Sequence, residues 1–289
     1  MPAGWFGALL AAPAVLVTVL LLAYPLLYSL WVSLHDVPVG PGAWRFVGID
    51  NYRAVATDPL FGPTIRRTLA FSGSVTVLVT VVGLAFAQAL SRDFIGRNLL
   101  RGLLILPWSV SQAMLALTFG WIFNSTFGPL NGLLLQTGLI DEYVSWFASG
   151  QVALTVIAVA LVWHLVPFAT LLFLGAVQTI PEDLLNAARV DGAGAVRRFL
   201  LVTLPWIKAT ALIVVVLAAL NAFLSFAPVF VLTGGGPGTD TTLLSWWGYV
   251  RGFRELDLGE SAAIYYLMTL IIVAIAALTV WALGRERHA

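Results

Sequence analysis

The sequence predicts an all-α polytopic membrane protein that forms a single transmembrane domain over residues 1–289. Hydrophobic residues make up 60% of the chain and charged residues only 10%, whereas an ordinary soluble domain has about 45–50% and about 25%. Long stretches of the chain also lack Asp, Glu, Lys and Arg. A hydrocarbon layer about 30 Å thick needs about 20 apolar helical residues, because no backbone polar group there can remain unpaired. Both observations therefore favour membrane-spanning helices.

Each long charge-free stretch is expected to contain one transmembrane helix, which makes six. After the turn-forming segments are excluded, the expected spans cover residues 6–30, 68–90, 102–123, 151–176, 207–231 and 260–283. A cleaved signal peptide is the alternative for the first span. It is disfavoured because residues 1–5 contain no Lys or Arg and the apolar run is longer than a typical signal core.

Basic residues are distributed unequally between the two sides of the predicted membrane. With six spans both termini lie on one side, which has nine Lys and Arg and five Asp and Glu, so its net charge is +4. The other side has six Lys and Arg and nine Asp and Glu, a net charge of −3. Since cytoplasmic loops carry the excess of Lys and Arg, both termini are predicted to be cytoplasmic. The total charge of +1 excludes an electrostatic nucleic-acid binder.

The predicted spans contain no Asp, Glu, Lys or Arg away from their ends. Ion-driven carriers and voltage sensors usually place such residues inside the bundle, so the energy for transport is expected to enter from outside the bilayer. His164, close to Pro167, is expected to bond a freed carbonyl or a water. The chain has no cysteine and only scattered histidines, and no base or nucleophile accompanies its loop carboxylates. We therefore predict no metal site and no catalytic residue.

The segment between the fourth and fifth spans, residues 178–206, has the pattern of a cytoplasmic helix–turn–helix. Pro181 suits the first helical position, and Glu182 complements the positive N-terminal end of the helix. Gly192 permits the left-handed turn that ends it. An interfacial amphipathic connector would explain the apolar stripe of this helix, which is formed by Leu184, Leu185, Ala188 and Val190. It would not explain the small pair Ala187–Ala188 beside the bend, which suits insertion into a groove of a soluble partner.

This segment resembles the "EAA" loop in the membrane subunits of ATP-binding-cassette (ABC) importers. The resemblance rests on Asn186-Ala-Ala188, Gly192, Val202 and Leu204-Pro205, where the family signature has Glu in place of Asn186 and Ile in place of Val202. The carbohydrate-importer branch, which includes maltose-transporter-like and sn-glycerol-phosphate-transporter-like permeases, is further indicated by segments along the chain: Leu26–Leu34, Phe46–Tyr52, Ile105–Pro107, Ile180–Pro181, Val190–Ala193 and Val231–Gly238.

The resemblance implies a multi-pass permease of the bacterial inner membrane, in contact with lipid, that pairs with a second homologous permease subunit. Two cytosolic ABC ATPase subunits would bind ATP and Mg, and an extracytoplasmic solute-binding protein would deliver a sugar or polyol. The chain itself would have no cofactor and hydrolyse nothing. The residues that the resemblance assigns to ATPase coupling are Glu182, Asn186, Ala187, Ala188, Asp191, Gly192, Leu204 and Pro205.

Candidate substrate-pathway residues lie in the later spans. Asn221 and Ser225 are four residues apart and are expected to share a helical face. Aromatic faces pack on sugar rings, so the set also includes Trp163, Phe223, Tyr265 and Tyr266. The same polar residues could instead join membrane helices by hydrogen bonds. The absence of charge in the spans favours a neutral sugar or polyol over a phosphate ester, unless the partner permease supplies that charge.

The external loop and the general class of transporter leave alternatives open. The external loop forms either a plain turn or a contact for the binding protein, through Gly234, Gly235, Gly236 and Pro237.

A self-contained channel or secondary carrier would need an internal repeat or a charge-lined path, and the sequence has neither. A membrane enzyme or assembly scaffold is disfavoured because no catalytic cluster is present.

Overall fold

The computed structural model describes residues 3–38, 40 and 42–284, which are mainly helical, with one two-stranded hairpin. The ends of the predicted domain 1–289, with the basic residues Arg285 and Arg287, lie outside the described residues. The elements are α1 Ala3–Ser33, β1 His35–Asp36, β2 Arg45–Phe46, α2 Asp50–Thr57, α3 Phe61–Leu90, α4 Arg97–Leu104, α5 Leu106–Ser109, α6 Gln112–Ile122, α7 Pro129–Gln136, α8 Gly150–Val177, α9 Glu182–Val190, α10 Ala195–Arg198, a π-helix Phe199–Thr203, α11 Leu204–Trp206, α12 Lys208–Phe223, α13 Ala227–Leu232, α14 Leu244–Tyr249, a π-helix Val250–Arg254, and α15 Leu258–Gly284.

Five helical segments among the described residues are long and apolar enough to span a membrane, and one bent helix pair could form a sixth span. In chain order they correspond to the six predicted spans, and the all-α membrane class is confirmed. The segments are Leu10–Ser33, Phe61–Leu90, Gly150–Val177, Lys208–Leu232, Leu258–Thr279, and the pair Arg97–Ser109 with Gln112–Ile122.

The second span begins at Phe61 and not at residue 68, so Arg66 and Arg67 lie inside α3. The guanidinium of Arg67 donates a hydrogen bond of 3.0 Å to the carbonyl oxygen of Thr242. This bond offsets part of the cost of placing an arginine within an apolar helix. Because the spans were predicted from stretches without Asp, Glu, Lys or Arg, the predicted start of this helix is about two turns too late.

The third predicted span, residues 102–123, is not one continuous helix. The chain forms α4 and α5, then bends by 97° before α6 begins at Gln112. Val110 is extended, and the Ser111 side chain accepts a 3.4 Å hydrogen bond from the backbone N–H of Met114, which caps α6. Nδ1 of His164 lies 3.0 Å from the carbonyl oxygen of Pro107. This histidine therefore bonds a backbone carbonyl, but one that belongs to α5 and not one that Pro167 frees within α8.

The fifth span is also interrupted. α12 ends at Phe223 and α13 begins at Ala227, with three residues between them outside the helices. Pro228 lies in the first turn of α13. Proline lacks an N–H group and restricts the residue before it, which favours a break here. Proline alone does not enforce the break, because α8 continues through Pro167.

The chain divides into two compact units. One comprises the described residues up to Pro63 together with Trp247–Leu270. Within this unit, the side-chain amide of Asn51 donates hydrogen bonds of 2.9 Å to the carbonyl oxygens of Ser33 and His35. These bonds fasten α2 to the end of α1 and the start of the hairpin.

The other unit comprises Thr64–Trp246 and the described residues from Ile271 onward. Its core includes Leu115 and Phe119 of α6 and Val156 and Ala160 of α8, all buried. α13 packs against both helices. The two half-helices α6 and α13, which follow the breaks in the third and fifth spans, are therefore neighbours in the fold.

Candidate functional site

The predicted helix–turn–helix is present over residues 178–206. α9 begins at Glu182, and Pro181 precedes the helix instead of occupying its first position. The backbone N–H groups of Asp191 and Ala193 donate to the carbonyl oxygens of Ala187 and Ala188, at 3.0 and 2.9 Å. Gly192 has φ +74°. The left-handed turn expected from Gly192 is thus present and satisfies the carbonyls at the end of α9.

The second arm of this segment is a continuous helical stretch with a wide turn. It runs through α10, the π-helix and α11, and ends at Trp206, one residue beyond Pro205. A π-turn before Pro205 makes room for the proline ring, which would clash with the preceding turn of an α-helix. The indole N–H of Trp206 donates to the hydroxyl oxygen of Thr179 at 3.1 Å. This bond joins the end of the segment to its beginning.

A cleft of about 310 Å³ separates the two arms. Leu184, Ala187, Ala188 and Asp191 line it from α9 and its C-terminal end, and Ala193, Arg197, Arg198, Leu201 and Val202 line the rest. α9 contains no buried residue. The guanidinium of Arg189 donates to the side-chain oxygen of Asn186 at 2.7 Å. The result is an ordered helix that is mostly exposed, with only Leu185 and Ala188 half-buried.

The three predicted pathway residues of the fifth span have different environments. Asn221 is exposed, and its amide donates to the carbonyl oxygen of Leu217 at 2.9 Å. Phe223 and Ser225 are buried. The expectation that Asn221 and Ser225 share one helical face is wrong, because α12 ends between them at Phe223.

Ser225 lies in the break between α12 and α13. Its carbonyl oxygen accepts a 2.7 Å hydrogen bond from the hydroxyl of Ser245. Its own hydroxyl oxygen is buried and has no hydrogen-bond partner among the described residues. Non-helical backbone at membrane depth is tolerated only where it is buried in protein or lines a cavity. The break is therefore the part of α12–α13 best suited to polar contacts.

The remaining pathway candidates are aromatic. Trp163 on α8 is half exposed, and its ring centroid lies 6.0 Å from that of Phe119. Tyr265 and Tyr266 belong to the other compact unit. There the hydroxyl of Tyr266 donates to the carbonyl oxygen of Leu26, so this tyrosine joins α15 to α1. Tyr265 packs beside Gly248, where an added Cβ would lie 2.9 Å from the tyrosine ring.

The glycine-rich loop is a closed turn held by threonine hydroxyls. The hydroxyl of Thr241 lies 2.8 Å from both the Thr233 hydroxyl and the carbonyl oxygen of Gly236. Gly235 is buried at φ +90°, and an added Cβ would lie 2.9 Å from the hydroxyl oxygen of Thr242. Gly234 and Pro237 are exposed and Gly236 is half-buried. Of the predicted contact residues, Gly235 alone is inaccessible to a partner.

An ionic cluster in the first unit was missed by the sequence analysis. The guanidinium of Arg251 donates to the carboxylate of Glu255 at 2.7 Å and to the carboxylate of Asp58. Its Nε lies 3.4 Å from the carboxylate of Glu260. Burial lowers the pKa of Arg251, but Glu260, Glu255 and Asp58 together outweigh it and raise that pKa above its ordinary value. The sequence offers no signal for this cluster, because Asp58 and Arg251 are 193 residues apart.

Comparison with known families gives one match that covers most of the chain. Residues 79–285 match the family described as "Binding-protein-dependent transport system inner membrane component". The match includes the helix–turn–helix, both interrupted spans and the glycine-rich loop.

Individual relatives and solved structures agree with this match. The trehalose/maltose transport system permease protein MalF of Thermococcus litoralis is 34% identical over 283 residues, which cover 98% of this chain and 94% of the relative. The sn-glycerol-3-phosphate transport system permease protein UgpA of Escherichia coli O157:H7 is 35% identical over 271 residues, 93% and 91% of the two chains. The fold is similar to a chain of the bacterial alginate ABC transporter in complex with alginate pentasaccharide-bound periplasmic protein, with a TM-score of 0.83, 18% identity and coverage of 99% and 96%.

Proposed function

Because this chain belongs to the binding-protein-dependent transport system inner membrane components, we propose that it forms half of the translocation pore of an ATP-driven ABC importer. The chain is a multi-pass membrane protein of a permease family. The proposed solute is a sugar or related polyol. Support for this class comes from the relative named for trehalose/maltose. The relative named for sn-glycerol-3-phosphate transports the phosphate ester of a polyol, which would require a positive charge from the partner permease.

The observation that carries the proposal is the ordered but open helix–turn–helix. α9 has no buried residue, yet its ends are held by Gly192 and by the bond between Trp206 and Thr179. A helix with this exposure is suited to dock in a groove of a soluble protein. We propose that two cytosolic ATPase subunits provide the energy and that one of them receives α9, with ATP and Mg bound in those subunits and no cofactor in this chain.

Movement of α9 would reach the membrane through a short connection. α11 ends at Trp206 and α12 begins at Lys208, and the intervening Ile207 is fully buried. Its backbone N–H donates to the carbonyl oxygen of Thr203 at 3.0 Å. Since few flexible residues separate the two elements, a displacement of the helix–turn–helix would displace α12 and the break at residues 224–226.

The pore is proposed to lie beside the two interrupted spans. Discontinuous membrane helices supply backbone groups that cannot be used where a helix is continuous, and such helices form solute sites in other transporters. Asn221 supplies an exposed amide in the last turn of α12, and Ser225 supplies a hydroxyl in the second break that is buried in this structure and would have to become accessible during transport. The other half of the pore would come from a second homologous permease, and an extracytoplasmic solute-binding protein would deliver the solute.

The proposal is tested by purifying this chain from native membranes in mild detergent and identifying what accompanies it. We expect a second permease and an ATPase pair, whose ATP hydrolysis rises when one loaded solute-binding protein is added. The solute that this binding protein carries would identify the substrate. A chain recovered alone that transports solute without ATP would contradict the proposal and favour a secondary carrier or channel.

A further inference from the structure

We propose that α4 and the loop before it form a binding site for the headgroup of an anionic phospholipid. The site contains three arginines, Arg92, Arg97 and Arg101, which we call the arginine cluster. The assignment of this site to the cytoplasmic leaflet rests on the proposed function and on the predicted orientation of the chain, with both termini in the cytoplasm. The binding itself depends only on where α4 lies relative to the bilayer.

Two hydrogen bonds place α4 at the membrane surface. The guanidinium of Arg101 donates to the carbonyl oxygen of Leu90 at 2.7 Å. Leu90 is the last residue of α3, which has 30 residues and is about 45 Å long, more than the hydrocarbon thickness. At its other end, the α4–α5 segment bonds His164, which lies halfway along α8. The segment therefore runs from the surface at Arg101 toward the bilayer interior at Pro107.

The two faces of α4 match the two layers of one leaflet. Arg97 and Arg101 are four residues apart and share a face. Leu99 and Leu103 share the opposite face and are 67% and 49% exposed. A helix of this kind lies at the interface with its leucines in the acyl region and its arginines at the phosphate level. A soluble partner would explain the arginines but not the exposed leucines on the opposite face.

The arginine cluster has more positive charge than the protein neutralises. Asp93 is the only acidic residue between Ser91 and Ser109, so the segment has a net charge of +2. Asp93 pairs with Arg97 from a position that is 92% exposed. Within the described residues, the Arg92 side chain has no ion pair, and Nε of Arg101 is buried without a hydrogen-bond partner. A phosphodiester would supply the missing counter-charge and acceptor oxygens to the exposed guanidinium of Arg92, whereas the buried Nε of Arg101 is out of its reach.

The test uses the full chain reconstituted into vesicles of phosphatidylcholine. The chain has no cysteine, so Leu99→Cys provides a single site for a fluorophore on the apolar face of α4. Quenching by spin-labelled phosphatidylglycerol is compared with quenching by spin-labelled phosphatidylcholine. We expect half-maximal quenching at a lower mole fraction of phosphatidylglycerol than of phosphatidylcholine. The two mole fractions should differ by a factor of about five for each arginine that contributes, because each contributes about 1 kcal/mol near an anionic surface.

Variants separate this site from general attraction to charge. Arg92→Gln together with Arg97→Gln should reduce the preference to about fivefold or less, because Arg101 alone remains. Asp93→Asn should increase it, because Arg97 loses its competing carboxylate. Arg45→Gln together with Arg53→Gln, which removes two exposed arginines elsewhere, should leave the preference unchanged.

Three results would overturn the proposal: equal quenching by both lipids in the parent chain, an unchanged preference in the Arg92 and Arg97 double variant, or an equal loss in the Arg45 and Arg53 control. None of these measurements requires the ATPase or a solute. Failure of the lipid site is therefore distinguishable from failure of the proposed importer function.

Discussion

Gly192 and Gly194 lie on either side of the same bend but have different backbone conformations. Gly192 has φ +74°, whereas Gly194 has φ −63° and is extended. An added Cβ would meet no atom within 4 Å at either position. Steric room is therefore equal, and only the left-handed conformation distinguishes the two residues.

We expect Gly192→Val to weaken or prevent assembly with the ATPase, whereas Gly194→Val leaves it intact. A β-branched residue in the left-handed region costs about 1–2 kcal/mol or more, and an extended position accepts it. Co-purification of the ATPase with each variant measures the effect. Equal recovery of the ATPase with both variants would contradict a docking role for this turn.

Asn221 and Ser225 differ from the other pathway candidates because their side chains contribute little to the fold. Asn221 bonds only its own helix, and the Ser225 hydroxyl has no partner among the described residues. Their replacement by Ala should therefore leave the complex intact.

We expect Asn221→Ala and Ser225→Ala each to raise the KM of solute uptake by about 2- to 10-fold, the value of one hydrogen bond of about 0.5–1.5 kcal/mol. Ser74→Ala is the matched control. Ser74 is exposed on α3 and bonds only the carbonyl oxygen of Ala70, at 2.7 Å. Uptake assays with labelled solute measure the change, and unchanged kinetics in both variants would remove these residues from the pathway.

At the level of elements, the first unit is held together by the ionic cluster around Arg251. This residue follows α14, and its carboxylate partners belong to the connection before α3, the π-helix region and the first turn of α15. The Arg251 side chain is 24% exposed and that of Asp58 is 15% exposed. Removing the guanidinium would leave carboxylates close together and partly desolvated.

Arg251→Gln should destabilise the chain by about 2 kcal/mol, and Arg53→Gln by less than about 1 kcal/mol because its ion pair is exposed. Thermal unfolding in detergent measures both. Since the pKa of Arg251 is raised, its contribution is present below its ordinary pKa and is lost only above its raised value. We therefore expect the difference between the parent chain and Arg251→Gln to stay constant from about pH 7 to pH 10. A difference that disappears over this range would contradict the assignment.

At the level of the whole molecule, the distribution of charge predicts the orientation. The net charges of +4 and −3 on the two sides predict cytoplasmic termini. The same orientation would place the helix–turn–helix and the arginine cluster on the cytoplasmic side, where ATPases and anionic lipids are present.

Single cysteines test this orientation because the parent chain has none. Ile95 follows α3, and Leu139 lies between α7 and α8; both are well exposed. In intact cells, a membrane-impermeant maleimide should label Leu139→Cys, whereas Ile95→Cys should be labelled only after the inner membrane is permeabilised. The reverse pattern would invert the proposed topology.

Local properties of the sequence determined the number and order of the spans and the helix–turn–helix. The length of an apolar run and the turn preference of Gly192 are each encoded within a short segment. The resemblance of residues 186–205 to a known loop is local in the same way. These features could therefore be predicted without knowledge of the fold.

The tertiary structure alone decided the interruption of the third and fifth spans, the burial of Ser225 and Gly235, and the partners of Arg67 and Arg251. Each depends on a contact between residues far apart in the chain, as between His164 and Pro107 or between Ser245 and Ser225. A polar group can remain in an apolar helix or an open break only when a distant element satisfies it. That pairing is a property of the folded chain and has no counterpart in a local segment.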